Sequence, residues 1–219
     1  MAFRLLLHPH ASPARNMAID EALLRHAQFP VLRIYSWDQP CVSIGYFQKA
    51  TLAPADRPMI RRYTGGGLVE HGNDLTYTLV LPPTHPLTTA GTLPSYQKIH
   101  EAVACALQKS GVPCVLATAQ PQKDDPACFL KPVPADVLDS HGRKLAGAAQ
   151  RRTKQGCLHQ GSILLSQKIP LQLGDLLSES LASCLGERGS ASQLTPTELR
   201  EADSLEIQRY GTRDWNFVR

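Results

Sequence analysis

The sequence has no long apolar run, no CxxC cysteine pair and no repeat of fixed period. The stretch 1–16 holds only a few consecutive apolar residues, too few for a membrane span or the core of a secretion signal. Without a repeat we expect neither a solenoid nor a propeller. Without an export signal we interpret the six cysteines as reduced thiols of a cytoplasmic protein.

Metal ligands and nucleic-acid surfaces are also scarce. A zinc site needs about four ligands at workable spacing, and only Cys157 and His159 lie close together, so we predict no metal site. The net charge is +4, and the Lys and Arg residues are spread along the chain without interleaved aromatic residues. We therefore expect no nucleic-acid partner, whereas an acidic protein partner suits this charge.

The order of predicted elements indicates a mixed α+β sheet domain. Helices are predicted at both ends and once inside the chain, at 12–27, 95–111, 173–186 and from Thr195 onward. Strands are predicted between them at 31–36, 41–47, 75–81, 136–140, 143–150 and 157–165. We expect the first two strands to pair through the turn at 38–40. This order does not alternate strand and helix, so a parallel βαβ fold is not favoured.

A glycine-rich stretch, RRYTGGG at 61–67, is the first candidate for chemistry. Three glycines after a strand allow the backbone to approach a ligand closely and to point its N–H groups at an anion. Arg61 and Arg62 add positive charge beside it. No Gly-Lys-Ser/Thr follows, so the stretch is not a Walker phosphate loop. A plain glycine turn between two strands remains the alternative.

A lysine enters a run of small residues in GRKLAGAAQRR at 142–152. Strand alternation predicts that Lys144 shares a face with Ala146, opposite Gly147. The small residues 147–149 would leave a slot that a ligand chain could fill. An exposed lysine on an edge strand is the alternative.

Two cysteines flank this lysine in the sequence, Cys128 and Cys157. An ordinary thiol has a pKa of about 8.5 and is only slightly ionised near neutral pH. An ammonium ~4 Å away in a partly screened site could stabilise the thiolate by up to about 4 kcal/mol. Lys144 is thus the natural activator of whichever cysteine it meets, although a small buried apolar role is the alternative for each cysteine.

Six stretches in order resemble the biotin/lipoate protein ligase and octanoyltransferase superfamily. The resemblance is strongest to the ligase-like octanoyltransferases. It implies one catalytic domain over 1–219, with no C-terminal accessory domain and a mixed sheet related to class II aminoacyl-tRNA synthetases. The stretches are NMAIDEALL (16–24), PVLRIYSWDQPCVSIGYFQ (30–48), RRYTGGGLVEH…DLTYTLV (61–80), CF…P (128–132), GRKLAGAAQRR (142–152) and HQGSILL (159–165).

The resemblance implies roles for particular residues. Lys144 falls on the family's catalytic lysine, and Arg62 with the glycine turn would line the acyl pocket and its polar mouth. His71 falls near the site without an implied proton-transfer role. The usual His-Gly pair is here His159-Gln160-Gly161, so the histidine is displaced by one position. The implied acyl- or substrate-binding positions are Arg62, Gly65, Gly66, Gly67, His71, Gly147, Ala148, His159 and Gly161.

The resemblance also implies two rival nucleophiles. In ligase-like octanoyltransferases the cysteine precedes a phenylalanine in the loop before the lysine strand, which is where Cys128 lies. In the other octanoyltransferase branch it stands four residues before the glycine of the His-Gly motif, as Cys157 does before Gly161. The amino-acid sequences of the surrounding stretches favour Cys128 as the nucleophile.

The implied activity is a transfer of an octanoyl or lipoyl group through a cysteine acyl-enzyme, with no cofactor required. The implied donor is acyl carrier protein. The implied acceptors are lipoyl domains, such as the glycine cleavage H protein or a 2-oxoacid dehydrogenase E2, and no membrane partner is expected. An ATP- and Mg²⁺-dependent lipoate–protein ligase, complete in one chain or helped by a separate accessory subunit, is the alternative. A binding module that keeps the acyl pocket without the chemistry is a third hypothesis.

Overall fold

A computed structural model describes residues 2–118, 133–166 and 168–218 of the protein. Eleven strands and six α-helices are present in these ranges. The strands are β1 (Ala2–Ala11), β2 (Val31–Trp37), β3 (Cys41–Ile44), β4 (Met59–Arg61), β5 (Val69–His71), β6 (Leu75–Leu81), β7 (Val115–Leu116), β8 (Val137–Leu138), β9 (Lys144–Thr153), β10 (Gly156–Ile163) and β11 (Arg188–Ala191). The helices are α1 (Pro13–Arg25), α2 (Pro86–Thr89), α3 (Thr92–Lys109), α4 (Leu173–Leu185), α5 (Pro196–Leu205) and α6 (Arg213–Asn216).

Local sequence explains where the main helices begin and end. The Ser12 hydroxyl accepts a hydrogen bond from the Arg15 N–H, which caps α1. Helix α5 begins with a capping box, in which Thr195 and Glu198 bond to each other's backbone N–H groups. Helix α3 ends just before Gly111, whose φ of 86° is available to glycine at little cost.

A central eight-stranded mixed sheet carries most of the core. Its order is β11-β1-β2-β6-β10-β9-β8-β7, with parallel pairs at β1 and antiparallel pairs from β2 to β7. Helices α3 and α4 cover one face with a cluster that includes Leu79 and Ile99. Helices α1 and α5 cover the other face with a cluster that includes Leu23 and Leu158. The predicted mixed α+β class is confirmed.

The prediction that the strands at 31–36 and 41–47 pair with each other is wrong. Strand β2 pairs with β1 and β6 in the large sheet, whereas β3 pairs with β4 and β5 in a separate three-stranded sheet. The turn at 38–40 therefore carries the chain from one sheet to the other. The partners of β2 are β1 and β6, which are distant from β2 in sequence, so a local pattern could not identify them.

The later strands follow the prediction closely. Strands β9 and β10 form an antiparallel hairpin in continuous register from Gly156↔Thr153 to Ile163↔Ala146. Strand β9 ends three residues later than predicted, whereas β10 begins one residue and ends two residues earlier than predicted. None of the helices in the three described ranges is long and apolar enough to cross a membrane.

Candidate active site

The glycine stretch forms a turn after β4 that folds over the α1-covered face of the large sheet. Gly66 has φ +84°, a conformation that side chains disfavour. A Cβ atom placed on Gly66 would lie 3.2 Å from the Cβ of Ala149 in β9. The turn also approaches Gly45, where a Cβ atom would collide with the Gly66 carbonyl oxygen. Gly45 is thus a structural requirement of the turn that the motif alone did not reveal.

Arg62 is buried and stabilises this turn through hydrogen bonds. Its Nη1 donates to the Ser43 carbonyl and hydroxyl oxygens at 2.8 and 2.6 Å, and its Nη2 donates to the carbonyls of Gly65 and Gly67 at 3.1 and 2.7 Å. Burial lowers the pKa of Arg62 to about 10. The guanidinium therefore holds the turn in shape from below, with these donors directed at the protein.

Arg61 also has a structural role, but it binds the segment after β3 and the C-terminal helix α6. It is fully buried and donates to carbonyls of the segment at Gly45–Gln48 and of Trp215 and Asn216. These bonds attach helix α6 to the small sheet. The two arginines that were predicted to supply positive charge beside the glycine turn therefore bind mainly oxygen atoms of the protein itself.

His71 continues the Arg62 network away from the turn. Its Nδ1 lies 2.8 Å from Asp74 Oδ2, and its Nε2 lies 2.6 Å from the Ser43 hydroxyl, while its ring stacks on Trp37 at 4.1 Å. Burial lowers the pKa of His71. A neutral imidazole that donates from Nδ1 to Asp74 and accepts from Ser43 satisfies every contact. His71 thus lies near the turn in a structural role.

Lys144 begins β9 at an irregularity in the sheet. Val137 pairs with Ala146, but Leu138 pairs with Lys144, so Leu145 is an extra residue on β9. The end of the Lys144 side chain lies over Gly147, where a Cβ atom would overlap its Cε and Nζ. The prediction that Lys144 lies on the face opposite Gly147 is wrong, because the bulge breaks the strand alternation.

A carboxylate that the motif analysis did not single out holds the lysine. Lys144 Nζ lies 2.8 Å from Asp136 Oδ2, and the Asp136 side chain has no exposed surface. Asp136 Oδ1 accepts a 2.6 Å hydrogen bond from the Tyr96 hydroxyl. The same hydroxyl accepts from the Ala148 N–H at 2.9 Å, so the backbone at this predicted site position faces Tyr96.

The lysine and the glycine turn lie along one face of β9. Ala149, which contacts the turn, is two residues beyond Gly147 and points to the same side. Two residues of strand span roughly 7 Å. The ammonium lies over Gly147 and the glycine turn packs on Ala149, so both border the same small-residue stretch of β9.

His159 and Gly161 lie on the opposite face, inside the α3-covered core. His159 is fully buried between Tyr77, Tyr96 and His100, and burial sets its pKa well below the usual value. A Cβ atom on Gly161 would collide with the ring of Tyr77, its partner across the sheet. The structure therefore explains both residues by core packing, away from the Lys144 face.

Cys157 is separated from Lys144. It is fully buried and pairs with Arg152, eight residues along β9 from Lys144, which corresponds to about 26 Å of strand. Burial raises the pKa of the Cys157 thiol. This geometry does not support the rival nucleophile. Cys128, the favoured nucleophile, lies outside the described residues.

Gln160 links the turn to helix α1. It accepts from the Thr64 hydroxyl at 2.7 Å and donates to Asp20 at 2.7 Å. Asp20 is itself paired with buried Arg33 at 2.7 Å.

Within the described ranges, no three His, Cys, Asp or Glu side chains gather as a metal ion would require.

Comparison with known proteins shows the family of the chain. Residues 12–202 match the family model of the lipoyl protein ligase A/B catalytic domain. Octanoyltransferase LipM of Exiguobacterium sp. is 34% identical over 218 residues, which covers 91% of this chain and 75% of that protein. LipM of Symbiobacterium thermophilum is 31% identical, over 98% of this chain and 97% of that protein.

The fold is also found among solved structures. Ta0514, a candidate lipoate protein ligase of T. acidophilum solved with bound lipoic acid, superposes with a TM-score of 0.85 over the full length of both chains at 23% identity. The superfamily, fold class and enzyme assignment predicted from the sequence are confirmed. The chain thus belongs to the lipoyl protein ligase A/B catalytic-domain family.

Proposed function

We propose that the protein moves an octanoyl group from the thioester of acyl carrier protein to a lysine of a lipoyl domain. Relatives across most of the chain are octanoyltransferases. The observation that carries the proposal is the ammonium of Lys144 over Gly147, roughly 7 Å along β9 from the glycine turn. A cation at the end of a narrow slot can stabilise both a thiolate and the oxyanion of an acyl transfer.

Cys128 is the proposed nucleophile. It lies eight positions before Asp136, which contacts Lys144, and eight residues of chain span at most about 28 Å. A connection of this length permits contact between the Cys128 thiol and the lysine. Cys157 lies about 26 Å away along a strand whose register is fixed.

The proposed reaction has two balanced steps. The Cys128 thiol gives up its proton, and its sulfur attacks the thioester carbonyl carbon. The bond to the carrier sulfur breaks, and the carrier leaves as a thiolate that takes up a proton. The neutral amine of the acceptor lysine then attacks the acyl-enzyme, an amide forms, and Cys128 returns as a thiol with the proton that the amine loses. Conversion of a thioester into an amide is downhill, so no ATP enters.

The remaining assignments follow from this reaction. The acyl chain would lie beside Gly147, between Lys144 and the glycine turn, and the Arg62 network would hold the shape of that turn. Acyl carrier protein as donor, a lipoyl domain such as the glycine cleavage H protein or an E2 as acceptor, and a cytoplasmic location are part of the proposal.

Intact mass measurement after incubation with octanoyl-acyl carrier protein tests the proposal. An octanoyl adduct is expected on the wild type without ATP and on Cys157→Ser, but not on Cys128→Ser. The absence of an adduct on the wild type would contradict the transferase, and an adduct that persists in Cys128→Ser would move the role to another cysteine.

The same assay separates the ligase alternative. A lipoate ligase would modify the acceptor from free lipoate with ATP and Mg²⁺, and it would do so in a Cys128→Ser/Cys157→Ser double variant. That outcome would replace the thiol mechanism with an acyl-adenylate held by Lys144 and the glycine turn.

A further inference from the structure

We infer that Asp136 is a positioning residue that fixes the ammonium of Lys144 over Gly147, and that Tyr96 fixes Asp136. The inference rests on the proposed function, because it assigns a task within the same transfer. It concerns Asp136, which immediately precedes β8 and lies eight positions before the lysine, and Tyr96 on helix α3.

The carboxylate of Asp136 is bound on both oxygens. Oδ2 contacts Lys144 Nζ at 2.8 Å and accepts from the Val133 N–H at 2.8 Å. Oδ1 accepts from the Tyr96 hydroxyl at 2.6 Å. The carboxylate is completely buried, whereas the lysine side chain retains 26% exposure. The anion is therefore the fixed member of the pair, and the ammonium is oriented by it.

Tyr96 connects this pair to the sheet. Its hydroxyl donates to Asp136 and accepts a hydrogen bond from the N–H of Ala148 in β9. Its ring packs against His100 at 4.1 Å on the same helix. Helix α3, the edge of β9 and the carboxylate thus form one rigid unit around the lysine.

The backbone before Asp136 is strained in a way that supports a functional task. Ala135 has φ +68°, which is uncommon for a residue with a Cβ atom. Its N–H donates to the Ala117 carbonyl at 2.8 Å, and its carbonyl accepts from His100 Nδ1 at 2.7 Å. Such a conformation persists only when its surroundings determine it, and here it aims the carboxylate at the lysine.

Gly147 completes the arrangement. A Cβ atom there would overlap the lysine terminus and would lie 3.2 Å from Asp136 Oδ1. The lysine can lie flat on the strand only because this position carries no side chain. Without Asp136 the ammonium would lose this charge-assisted contact, and the fraction of time that it spends in the reactive position would fall.

The experiment compares single-turnover octanoyl transfer in Asp136→Asn, Tyr96→Phe, Lys144→Met and the double variant Asp136→Asn/Lys144→Met. We expect Asp136→Asn to lower the maximal rate at least about tenfold with little change in donor KM, since a charge-assisted contact is lost. Tyr96→Phe should lower it less. In the Lys144→Met background, Asp136→Asn should cause no further loss.

The cycle distinguishes positioning from a general structural effect. A structural defect would reduce the rate by the same factor whether or not the lysine is present, and that result would overturn the inference. Asp139→Asn is the matched control, because Asp139 pairs with Arg143 in the turn that joins β8 to β9. It should transfer within about twofold of the wild type.

A second readout is independent of activity. Limited acetylation of the folded protein, quantified by peptide mass, should modify Lys144 several-fold faster in Asp136→Asn than in the wild type, with exposed Lys98 as the internal standard. An unchanged Lys144 rate overturns the positioning inference. Faster modification in a protein that transfers no octanoyl group supports positioning and overturns the proposed function instead.

Discussion

The terminal carbon and nitrogen of Lys144 occupy the space that a Cβ atom on Gly147 would fill. We therefore predict that Gly147→Ala displaces the ammonium and lowers octanoyl transfer at least about tenfold, because a misplaced catalytic group is costly. The free energy of unfolding should fall by about 1–3 kcal/mol, the usual cost of overpacking, and the protein should stay folded because the displaced atoms end a flexible side chain. Single-turnover transfer and urea unfolding on the same samples measure both effects.

Gly174 in α4 offers the matched glycine. A Cβ atom there would lie 3.9 Å from the Cδ1 of Ile34, an ordinary contact, and its φ is not positive. Gly174→Ala should leave transfer unchanged and should not lower stability, because alanine favours a helix. Full transfer by Gly147→Ala would mean that Lys144 does not act from the observed position.

The close approach of Gly45 to the glycine turn gives a second prediction. A Cβ atom on Gly45 would collide with backbone atoms of Gly65 and Gly66, which cannot move as a side chain can. Gly45→Ala should lower the free energy of unfolding by about 1–3 kcal/mol and impair transfer. Gly65→Ala is the contrast for stability, because its Cβ atom would meet only Phe47 at 4.0 Å. Equal stability of both variants would contradict the observed packing of the turn.

Cys157 should be dispensable. It is fully buried, and burial raises the pKa of its thiol, so little thiolate forms near neutral pH. We predict that Cys157→Ala transfers octanoate within about twofold of the wild type. Iodoacetamide should alkylate Cys157 at least about tenfold more slowly in the folded protein than in urea. Rapid alkylation of the native thiol, or lost transfer in a folded Cys157→Ala, would restore its candidacy.

Buried histidines predict acid sensitivity. Burial lowers the pKa of His100 to about 4, so below about pH 6.5 the unfolded chain binds a proton that the folded protein does not. Its contribution to stability is therefore complete at neutral pH and is lost as the pH falls from 6.5 toward 4. From pH 7 to pH 5 this single group should cost about 2 kcal/mol.

The corresponding variant is His100→Gln, with exposed His141→Gln as control. The loss of unfolding free energy between pH 7 and pH 5 should be smaller in His100→Gln by about 2 kcal/mol, whatever its stability at pH 7. His141→Gln should retain the wild-type difference. An unchanged difference in His100→Gln would show that another group carries the acid sensitivity.

The sequence was most informative where a motif is contiguous. The helix caps, the β9–β10 hairpin and the Lys144 position follow from short-range patterns and from the family resemblance. The pairing of the strands was harder to predict from the sequence. The partners of β2 come from the N-terminus and from β6, and such non-local pairing leaves no local signature in β2 itself.

The site was only partly predictable for the same reason. Asp136 reaches Lys144 from the loop before β8, and Tyr96 reaches Asp136 from a distant helix, so no spacing rule connects the three residues. The bulge at Leu145 reversed the expected side of the lysine, because strand alternation assumes an unbroken register. His159 and Gly161 belong to a family motif, yet the structure accounts for them by packing against Tyr77.

Octanoyl transfer by Lys144→Met, compared with Lys154→Met, tests the central claim most directly. Lys154 lies exposed in the turn of the same hairpin, so both variants lose one cation and keep the strand. The account predicts at least about a hundredfold loss of single-turnover rate for Lys144→Met and none for Lys154→Met. Transfer by folded Lys144→Met at the wild-type rate would contradict it.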